Sequence, residues 1–356
     1  LGGRGMAIVY DDSDLVTYME SATHVTPDRP VYLDAFLEDA IELDVDALCD
    51  TEECYVGSVL EHIEECGIHS GDSACCWPPF SLSAKIVDQI RAITKKLALA
   101  CGIRGLLNIQ YAVRDEHVFV IELNPRASRT VPFSSKATGV SLAKYASRIM
   151  AGEKISELRA QGLLPDENRT VDYYAVKEAV MPWSRFPGAD SILGPEMKST
   201  GEVMGIARTF PAAYAKTREA VENKLPEQGS VFISVCDRDK RAIAPVAMAL
   251  ENLGYGIYTT GGTAKTLRAA GIDCTTVNRI SDGHPNVVDL MRDKTVSFII
   301  NTPHGHEAHS DGTKMRAEAV SQGITCVTAM SAATALIQAL AAARKSEPET
   351  FALQDL

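Results

Sequence analysis

The sequence has no long hydrophobic run, no excess of basic charge and no CxxC cysteine pair, and each absence argues against a class of protein. No apolar segment approaches the roughly 20 residues that span a bilayer, and the first residues do not have the pattern of a signal peptide. The 47 acidic residues outnumber the 35 basic ones, which gives a net charge of −12. That balance argues against non-specific binding to nucleic acid or to an anionic membrane, but it does not exclude local basic pockets for phosphate.

The nine cysteines are scattered along 356 residues and their count is odd, so a disulfide framework or a zinc site is not expected. We expect reduced, buried thiols and a cytoplasmic location. Hydrophobic residues make up 46% and charged residues 23% of the chain, as in ordinary globular proteins. The length predicts two or three domains, each large enough to bury a core.

The chain begins LGGRGMAIVYDD, without an initiator Met. Glycines let backbone N–H groups approach phosphate oxygens, and Arg4 adds a positive charge, so this stretch has the pattern of the end of a phosphate-covering loop. Taken alone, a glycine-rich segment is more often only a turn. The abrupt start leads us to expect that the sequence begins inside a domain.

The first hundred residues predict a mixed helix and strand region. Periodicity predicts a helix at 12–25, strands at 29–39, 40–50 and 52–65, and a long amphipathic helix at 81–103. In the strand 40–50 apolar residues alternate with acidic residues, which predicts one face toward the core and one polar face.

A hairpin carries the most informative motif. The strands 105–113 and 117–123 are separated by a short polar turn, and if the turn centres near its last residue, Gln110 lies opposite Glu122. Cross-strand neighbours have Cβ atoms about 5 Å apart. Asn124 follows Glu122 by two residues and therefore shares its face. Three hard oxygen ligands in one patch suit a Mg²⁺ ion that also holds nucleotide phosphates.

The segment after this strand adds basic groups. Pro125 ends the strand because it offers no N–H to the ladder. Arg126 and Arg129 follow within four residues and can reach a transferring phosphoryl group or an anionic substrate. Considered without context, a Glu and an Asn at a strand end more often face solvent or cap a turn, so the motif alone leaves both interpretations open.

Beyond residue 153 the pattern loosens. Residues 153–170 have the composition of a polar connector, and residues 173–210 predict short strands with Pro and Gly turns that complete the first sheet. Residues 212–229 predict a linking helix that ends at Pro226 and Gly229.

From residue 229 strands alternate with helices, which predicts a parallel sheet covered by helices on both faces and able to fold independently. In TTGGTAKTL, at 259–267, two glycines lie where a strand gives way to a helix N-terminus, a place that favours phosphate. Such a junction is also often only a tight turn. The side chains that could join a phosphate there are Lys240, Thr260, Thr263 and Asn301.

Long motifs then carry a resemblance to a known family. HSGDSAC, GLLNIQYAV, IELNPRASRTVPFSSKATG and GPEMKSTGEVMG resemble the C-terminal part of an ATP-grasp domain, and more narrowly the large chain of carbamoyl phosphate synthetase. Residues 229–356 resemble the methylglyoxal-synthase-like domain that ends such chains. The resemblance covers the chain along its length.

The resemblance implies a fold and a domain order. It implies an incomplete α+β ATP-grasp subdomain followed by an α/β parallel-sheet domain. Residues 1–153 are expected to form the C-terminal part of the ATP-grasp domain, residues 154–228 the end of its sheet and a linker, and residues 229–356 the regulatory domain. This order resembles the second half of the large chain. Since half of the ATP clamp is missing, the chain alone is expected to be inactive.

The implied function is that of a ligase. By resemblance, this half phosphorylates carbamate with ATP to give carbamoyl phosphate, as part of the glutamine-hydrolysing synthetase of arginine and pyrimidine biosynthesis. Gln110 and Glu122 would bind ATP-associated Mg²⁺ or Mn²⁺, and Asn124 a second metal ion. Arg126 and Arg129 would lie at the phosphate and carbamate end.

The resemblance also implies contacts to the nucleotide and to effectors. The residues expected at the nucleotide are Arg4, Leu37, Glu42, Gly67, Ile68, His69 and Ser70. His69 could instead only satisfy loop carbonyls, and Ala35 stands where relatives carry a histidine. The residues expected to bind UMP-type or IMP-type effectors are Lys240, Thr260, Thr263, Arg279 and Asn301. Arg279 stands where a lysine is common and Pro303 where a threonine is frequent, which leaves the effector preference open.

The expected partners are the glutaminase small subunit and the rest of the large chain, in a homo-oligomer of heterodimers. Neither nucleic acid nor membrane is expected as a partner. Two alternatives stay open. One is a non-catalytic effector-binding module. The other is a lyase of the methylglyoxal-synthase kind, which is disfavoured because ISDGHPNVV lacks the aspartate of a GGD-type stretch.

Overall fold

The chain forms two β-sheets, each with its own helices. The computed structural model describes residues 5–21, 31–167, 169–186, 189–221, 226–303, 307–345, 349–350 and 352–355. No helix within these ranges is long and apolar enough to cross a membrane.

The first sheet is antiparallel and has seven strands. Its strands are β1 (Ile41–Asp50), β2 (Cys54–His62), β3 (Cys75–Trp77), β4 (Arg104–Arg114), β5 (His117–Asn124), β6 (Tyr174–Val180) and β7 (Gly201–Ala207). They lie in the order β5-β4-β1-β2-β3-β6-β7. The predicted completion of this sheet by strands after residue 173 is therefore confirmed.

Six helices accompany this sheet: α1 (Asp12–Ser21), α2 (Ala84–Ala100), α3 (Val131–Thr138), α4 (Leu142–Met150), α5 (Ile155–Ala160) and α6 (Phe210–Ala220), with a 3₁₀ turn at Trp183–Arg185. The helix predicted at 81–103 is confirmed as α2, which packs on Leu43, Val45 and neighbouring apolar residues of the sheet. The helix predicted at 12–25 is confirmed to Ser21, and residues 22–25 lie outside the described ranges.

The second sheet is parallel and has five strands. They are β8 (Ser230–Val235), β9 (Gly256–Thr259), β10 (Thr275–Thr276), β11 (Phe298–Thr302) and β12 (Thr325–Val327), in the order β10-β9-β8-β11-β12. The helices are α7 (Lys240–Asn252), α8 (Gly261–Ala269), α9 (Val287–Arg292), α10 (Glu307–Gln322) and α11 (Met330–Ala343), with 3₁₀ turns at Ile280–Asp282 and Leu353–Asp355. Buried clusters lie on both faces, so the predicted doubly covered parallel sheet is confirmed.

Three sequence predictions were wrong. Residues 31–39 form no strand, because β1 already pairs with β2 and β4 and offers no edge to the segment before it. The polar connector contains α5, whose Ile155 and Leu158 are buried and whose first N–H groups include one that donates to Asp50. The linking helix α6 ends at Ala220, well before Pro226.

Helix α6, predicted as a linking helix, packs between the two sheets. Its Phe210, Ala213 and Tyr214 share a buried cluster with Ala332 and Ala339 of α11. Small alanine side chains let two helices approach closely, so α11 contributes to the cores on both of its sides.

The acidic face of β1 is buried as well as its apolar face. Asp44 is 1% exposed and Asp46 is 0% exposed, whereas the alternation predicted a polar face only. Asp44 accepts a hydrogen bond from His62 Nε2 at 3.0 Å, and His62 Nδ1 lies 3.5 Å from Glu42. Burial lowers the pKa of His62, but the hydrogen bond to Asp44 and the negative charges of Asp44 and Glu42 outweigh it and raise the pKa to about 9.

One interaction between the two sheet regions is a buried ion pair. Arg316 of α10 is 0% exposed, and its Nε and Nη2 donate to the two carboxylate oxygens of Asp190 at 2.5 and 2.8 Å. Burial raises the pKa of Asp190, but hydrogen bonds from Arg316 and from the Ile192 N–H hold the pKa below its ordinary value.

We predict that Asp190→Ala destabilises the chain by about 2–3 kcal/mol, because it leaves the Arg316 charge buried without its carboxylate. The measurement is the urea midpoint. The control is Asp172→Ala, which breaks an exposed ion pair with Arg208 and should cost less than about 1 kcal/mol. Equal effects of the two variants would contradict the prediction.

We also predict that the His62 imidazole titrates at about pH 9. Because the folded pKa is raised, the stabilisation by His62 is fully present below its unfolded pKa of about 6.5 and is lost as the pH rises through about 9. NMR titration of the imidazole, assigned by its absence in His62→Gln, measures this pKa. A titration near pH 6 would show that the Asp44 and Glu42 contacts do not hold the proton.

Candidate functional site

Strand pairing places the predicted metal ligands on one face of the first sheet. Gln110 of β4 lies opposite Glu122 of β5, and Asn108 lies opposite Asn124. The predicted cross-strand pairing of Gln110 with Glu122 is therefore confirmed. On the other side of β4, Gln110 pairs with Asp44 of β1, so the acidic face of β1 continues into this group.

A β-bulge adjusts the end of this hairpin. The register shifts between Gln110 and Tyr111, which pair with Glu122 and Val120 respectively, so Ile121 has no partner on β4. A bulge bends a strand and redirects its side chains. Here the bulge sets Glu122 and Asn124 on the face of Gln110. The hairpin turn itself is tight, with Asp115 and Glu116 at positive φ.

Hydrogen bonds orient the amide groups of this cluster. Gln110 Nε2 donates to Ser70 Oγ at 3.0 Å, and Asn124 Nδ2 donates to Glu122 Oε1 at 2.7 Å. Each amide donates a hydrogen bond from its N–H₂ group to a neighbour, so its oxygen is the atom that can bind a cation. Carboxylate and amide oxygens are hard ligands that suit Mg²⁺.

The charge of the cluster is low for a metal site built from protein alone. It contains one carboxylate, Glu122, and within the described ranges no three His, Cys, Asp or Glu side chains converge on a metal position. Mg²⁺ is commonly held by one or two carboxylates together with substrate phosphates. The donor set therefore fits a cation that arrives with a phosphorylated ligand.

The two predicted arginines lie on the segment after β5 and are exposed. Arg126 Nη1 donates to the Ala127 carbonyl at 3.1 Å. Burial lowers the pKa of His69, and the positive charge of Arg129 adds to that lowering. The Arg126 guanidinium is thus bonded to its own segment, and the Arg129 charge acts on His69 of the loop 67–73.

The loop 67–73 is held at its start by Glu42. Glu42 Oε1 accepts hydrogen bonds from the Gly67 N–H and from Cys66 Sγ, both at 3.2 Å. Gly67 has φ +93°, and a Cβ there would lie 2.8 Å from the Phe36 ring. Both the conformation and the close packing require glycine at this position.

His69 has a defined tautomer in this loop. Its Nδ1 accepts a hydrogen bond from the Gly71 N–H at 2.9 Å, so in the neutral ring Nε2 carries the proton and is a donor. Since its pKa is lowered, mainly by burial, the ring is neutral at pH 7. The alternative interpretation, in which His69 only satisfies polar groups of its own loop, requires no more than the Nδ1 contact. The Nε2–H remains as a donor for a ligand.

Lys177 and Asp72, which the sequence analysis did not identify, support the loop 67–73. Lys177 is 1% exposed, and its Nζ donates to the Ser70 carbonyl at 3.2 Å. Asp72 accepts from the Ser199 and Lys198 N–H groups, both at 2.8 Å. Lys177 interrupts the apolar run YAVKEAV, and a lysine inside a buried strand is the signal that could have identified it.

The remaining predicted nucleotide residues are less defined. Leu37 and Ile68 are half-buried, and Arg4 lies outside the described residues. A cavity of about 860 Å³ lined by α6, residues 226–228 and the end of α11 contains none of the predicted site residues.

A second polar group lies at the carboxyl ends of β8, β9 and β11. Asn301 Nδ2 donates to the Ser234 carbonyl at 3.0 Å, and Ser234 Oγ lies 3.3 Å from Thr260 Oγ1. Strand β8 lies between β9 and β11, where the strand order reverses, and such crevices bind ligands in open α/β sheets.

The other predicted effector residues differ in how closely they join this group. A Cβ at Gly262 would lie 3.4 Å from Lys240 Nζ, so Lys240 covers the N-terminus of α8. Thr263 is 1% exposed, and its Oγ1 accepts from the Val235 N–H at 3.4 Å, which leaves its O–H as a donor. Arg279 is exposed before the 3₁₀ turn Ile280–Asp282, and no described contact joins it to the other four.

Two family profiles match the chain. The family described as "Carbamoyl-phosphate synthase L chain, ATP binding domain" matches residues 1–158, and the family described as "MGS-like domain" matches residues 242–328.

Curated relatives match along the whole chain. The carbamoyl phosphate synthase large chain of Kocuria rhizophila is 48% identical over 370 residues, which cover 100% of this chain and 33% of that protein. The large chain of Corynebacterium glutamicum is 49% identical over 372 residues, with the same coverage. The chain thus spans about a third of the length of these relatives.

Solved structures resemble the chain more distantly. A biotin carboxylase from Campylobacter jejuni, in complex with an ATP analogue, has a TM-score of 0.46 at 17% identity and covers 62% of this chain and 55% of its own. The biotin carboxylase domain of a single-chain bacterial carboxylase has a TM-score of 0.45 at 17% identity, with 59% and 52% coverage.

The ATP-binding family match covers β1 to β5 of the antiparallel sheet, and the MGS-like match covers β9 to β12 of the parallel sheet. Identities near 48% along the whole chain agree with both matches. The chain is therefore similar along its whole length to about a third of a carbamoyl phosphate synthase large chain.

Proposed function

We propose that this chain carries the carbamate-phosphorylating site of a glutamine-hydrolysing carbamoyl phosphate synthetase, in the second half of its large chain. The observation that carries the proposal is the group formed by Gln110, Glu122 and Asn124, in which both amides donate their N–H₂ groups to neighbours and present oxygen. The positive charge of Arg129 acts on His69 in the loop 67–73. This arrangement suits a nucleotide whose phosphates bring a divalent cation.

Each residue has a defined part in this proposal. Gln110 and Glu122 would hold ATP-associated Mg²⁺ or Mn²⁺, and Asn124 a second ion; the metal would neutralise charge on the phosphates. The His69 Nε2–H would donate to a phosphate oxygen. The Arg129 guanidinium would stabilise the negative charge of the transferring group, and Arg126 could do so after a side-chain rotation away from Ala127.

The adenosine end of the nucleotide would lie against the loop 67–73. Glu42 fixes the start of this loop through Gly67 and Cys66, and Leu37 would add an apolar contact. Arg4 would cover the phosphates. Phosphoryl transfer depends mainly on positioning and charge neutralisation, so rigid support of this loop by Lys177 and Asp72 favours the proposal.

The partners follow from the same proposal. A glutaminase small subunit would supply ammonia, and the rest of the large chain would supply the missing half of the ATP clamp and the first phosphorylation. The product would serve arginine and pyrimidine biosynthesis. The domain divisions near residues 153 and 228 and assembly into a homo-oligomer of heterodimers belong to this proposal.

We also propose that the crevice at β8, β9 and β11 binds a phosphorylated nucleotide of the UMP or IMP type. The helix N-terminus at Gly261 offers N–H groups to a phosphate. Lys240 adds a charge beside it, and Thr260 adds a hydroxyl. Asn301 would contact the nucleoside side of the crevice, and Arg279 would reach it only by moving from its exposed position.

In the complete large chain with its partner, Glu122→Gln should reduce carbamate phosphorylation by about 100-fold or more, because it removes the one carboxylate of the group. Bicarbonate-dependent ATP hydrolysis in the other half should continue. The control is Glu116→Gln in the turn of the same hairpin, where the side chain is exposed. Synthesis at the normal rate by the Glu122 variant would overturn the assignment.

Thr263→Ala should weaken effector binding about tenfold or more, because a hydrogen bond to a charged phosphate contributes roughly 1.5–3 kcal/mol. Thr263→Ser keeps the hydroxyl and is the matched control. Calorimetric titration of the complete protein with UMP and IMP measures both variants. Unchanged affinity in Thr263→Ala would place the phosphate elsewhere.

A further inference from the structure

Asp46 is a buried carboxylate for which neither the motifs nor the proposed ligand contacts account. It lies in the middle of β1, and its side chain is completely enclosed. Burying an ionised carboxylate is costly unless hydrogen bonds compensate. The groups that donate hydrogen bonds to Asp46 therefore indicate its structural role.

Four neutral groups donate to Asp46. Its Oδ1 accepts from Ser128 Oγ at 2.6 Å and from Asn108 Nδ2 at 3.1 Å. Its Oδ2 accepts from Thr130 Oγ1 at 2.6 Å and from Ser134 Oγ at 3.0 Å. A carboxylate has about four acceptor sites, so Asp46 is fully used as an acceptor.

Two of the four donors, Ser128 and Thr130, come from the segment that carries the arginines, and Ser134 lies in α3 directly after it. Ser128 precedes Arg129 directly, and Thr130 follows it, so Asp46 holds the residues on both sides of Arg129. Thr130 is the N-cap of α3, yet its hydroxyl makes no cap hydrogen bond and is given to Asp46 instead. The hydroxyl at the start of α3 is therefore bonded to β1.

The fourth donor ties the same carboxylate to the metal-ligand strands. Asn108 lies opposite Asn124 in the β4–β5 pairing. Asp46 thus sets the distance between the arginine segment and the strand end that carries Glu122 and Asn124. Hydrogen bonds to a charged acceptor are stronger than neutral ones, so a carboxylate suits this task better than an amide.

We propose that Asp46 is a positioning residue for phosphoryl transfer, which holds the segment 128–130 so that Arg129 faces the transferring phosphoryl group. The inference rests on the proposed function, because the reaction gives Arg129 its role. Asp46 itself touches no ligand and acts through Arg129. Misplacing a group by about 1 Å can cost on the order of 100-fold in rate.

The test uses the complete large chain with its partner subunit and measures carbamoyl phosphate synthesis. Asp46→Asn keeps the size of the side chain and removes its charge. We expect kcat to fall about 10- to 100-fold while KM for MgATP changes less than about threefold, because the residues proposed to hold the nucleotide do not contact Asp46. Ser128→Ala removes one donor and leaves the carboxylate, and should lower kcat about 3- to 10-fold. If Asp46→Asn does not fold, Ser128→Ala still tests the proposal.

A double-mutant cycle with Arg129→Ala separates positioning from general damage. If Asp46 acts through Arg129, then Asp46→Asn should lower kcat less than about twofold in the Arg129→Ala background. A full loss in that background would overturn the proposal. So would a normal kcat in a well-folded Asp46→Asn protein.

Asp50→Asn is the matched control. Asp50 is a second buried carboxylate of β1, 3% exposed, and accepts from the Glu52, Glu53 and Ile155 N–H groups at the far end of the strand. It should lower stability without the kcat loss. An equal kcat loss in Asp50→Asn would show that any buried carboxylate of β1 has this effect.

Hydrogen exchange keeps the two proposals distinguishable. Faster exchange of the Thr130 and Ser134 amides in Asp46→Asn is expected whatever the reaction is. If Glu122→Gln keeps normal synthesis, the proposed function fails independently of this result. If exchange is unchanged in Asp46→Asn, the positioning proposal fails even where the proposed function holds.

Discussion

Keeping the carboxylates of β1 hydrogen-bonded inside the protein is the constraint on which the first sheet depends. Glu42, Asp44 and Asp46 lie on one face of a strand that is paired on both sides. Each must find donors from elsewhere in the chain, because unpaired buried charge is strongly unfavourable. Glu42 takes them from the start of the loop 67–73, Asp44 from His62 and Asn108, and Asp46 from the arginine segment. The two loops around the candidate site are thus anchored to one strand.

Local patterns were sufficient to predict what lies close in sequence. The pairing of Gln110 with Glu122 was predicted from a short turn between two alternating strands. The turn alone, with Arg114 opposite His117, would place Gln110 opposite Ile121, and the β-bulge after Gln110 makes the pairing with Glu122. The parallel sheet was predicted from the alternation of strands and helices along the chain. The strand expected at 29–39 shows the limit, because β propensity describes a segment and not the availability of a sheet edge to pair with.

The support of the site could not be predicted from one sequence. Asp46 receives hydrogen bonds from residues 82 and 88 positions away, and Lys177 reaches Ser70 across 107 positions. Asp46 and its donors alone have the pattern of ordinary surface groups, whereas Lys177 is marked by its apolar strand, which does not show its partner. Only the fold shows that they are buried and which partners satisfy them, so the metal-ligand candidates were accessible from the sequence and the groups that hold them were not.

The crevice at β8, β9 and β11 and the loop 67–73 are joined by short physical contacts. Asn301, at the crevice, accepts a hydrogen bond from Arg316 at 3.3 Å, and Arg316 in turn pairs with Asp190. Four residues after Asp190, the Gly194 carbonyl accepts from the His69 N–H at 2.8 Å. A ligand that draws Asn301 away from Arg316 changes the hydrogen bonding of a fully buried guanidinium, which can respond only through Asp190 or Thr313. Because Asp190 begins the segment whose Gly194 carbonyl is bonded to His69, such a change reaches the loop 67–73 through few bonds.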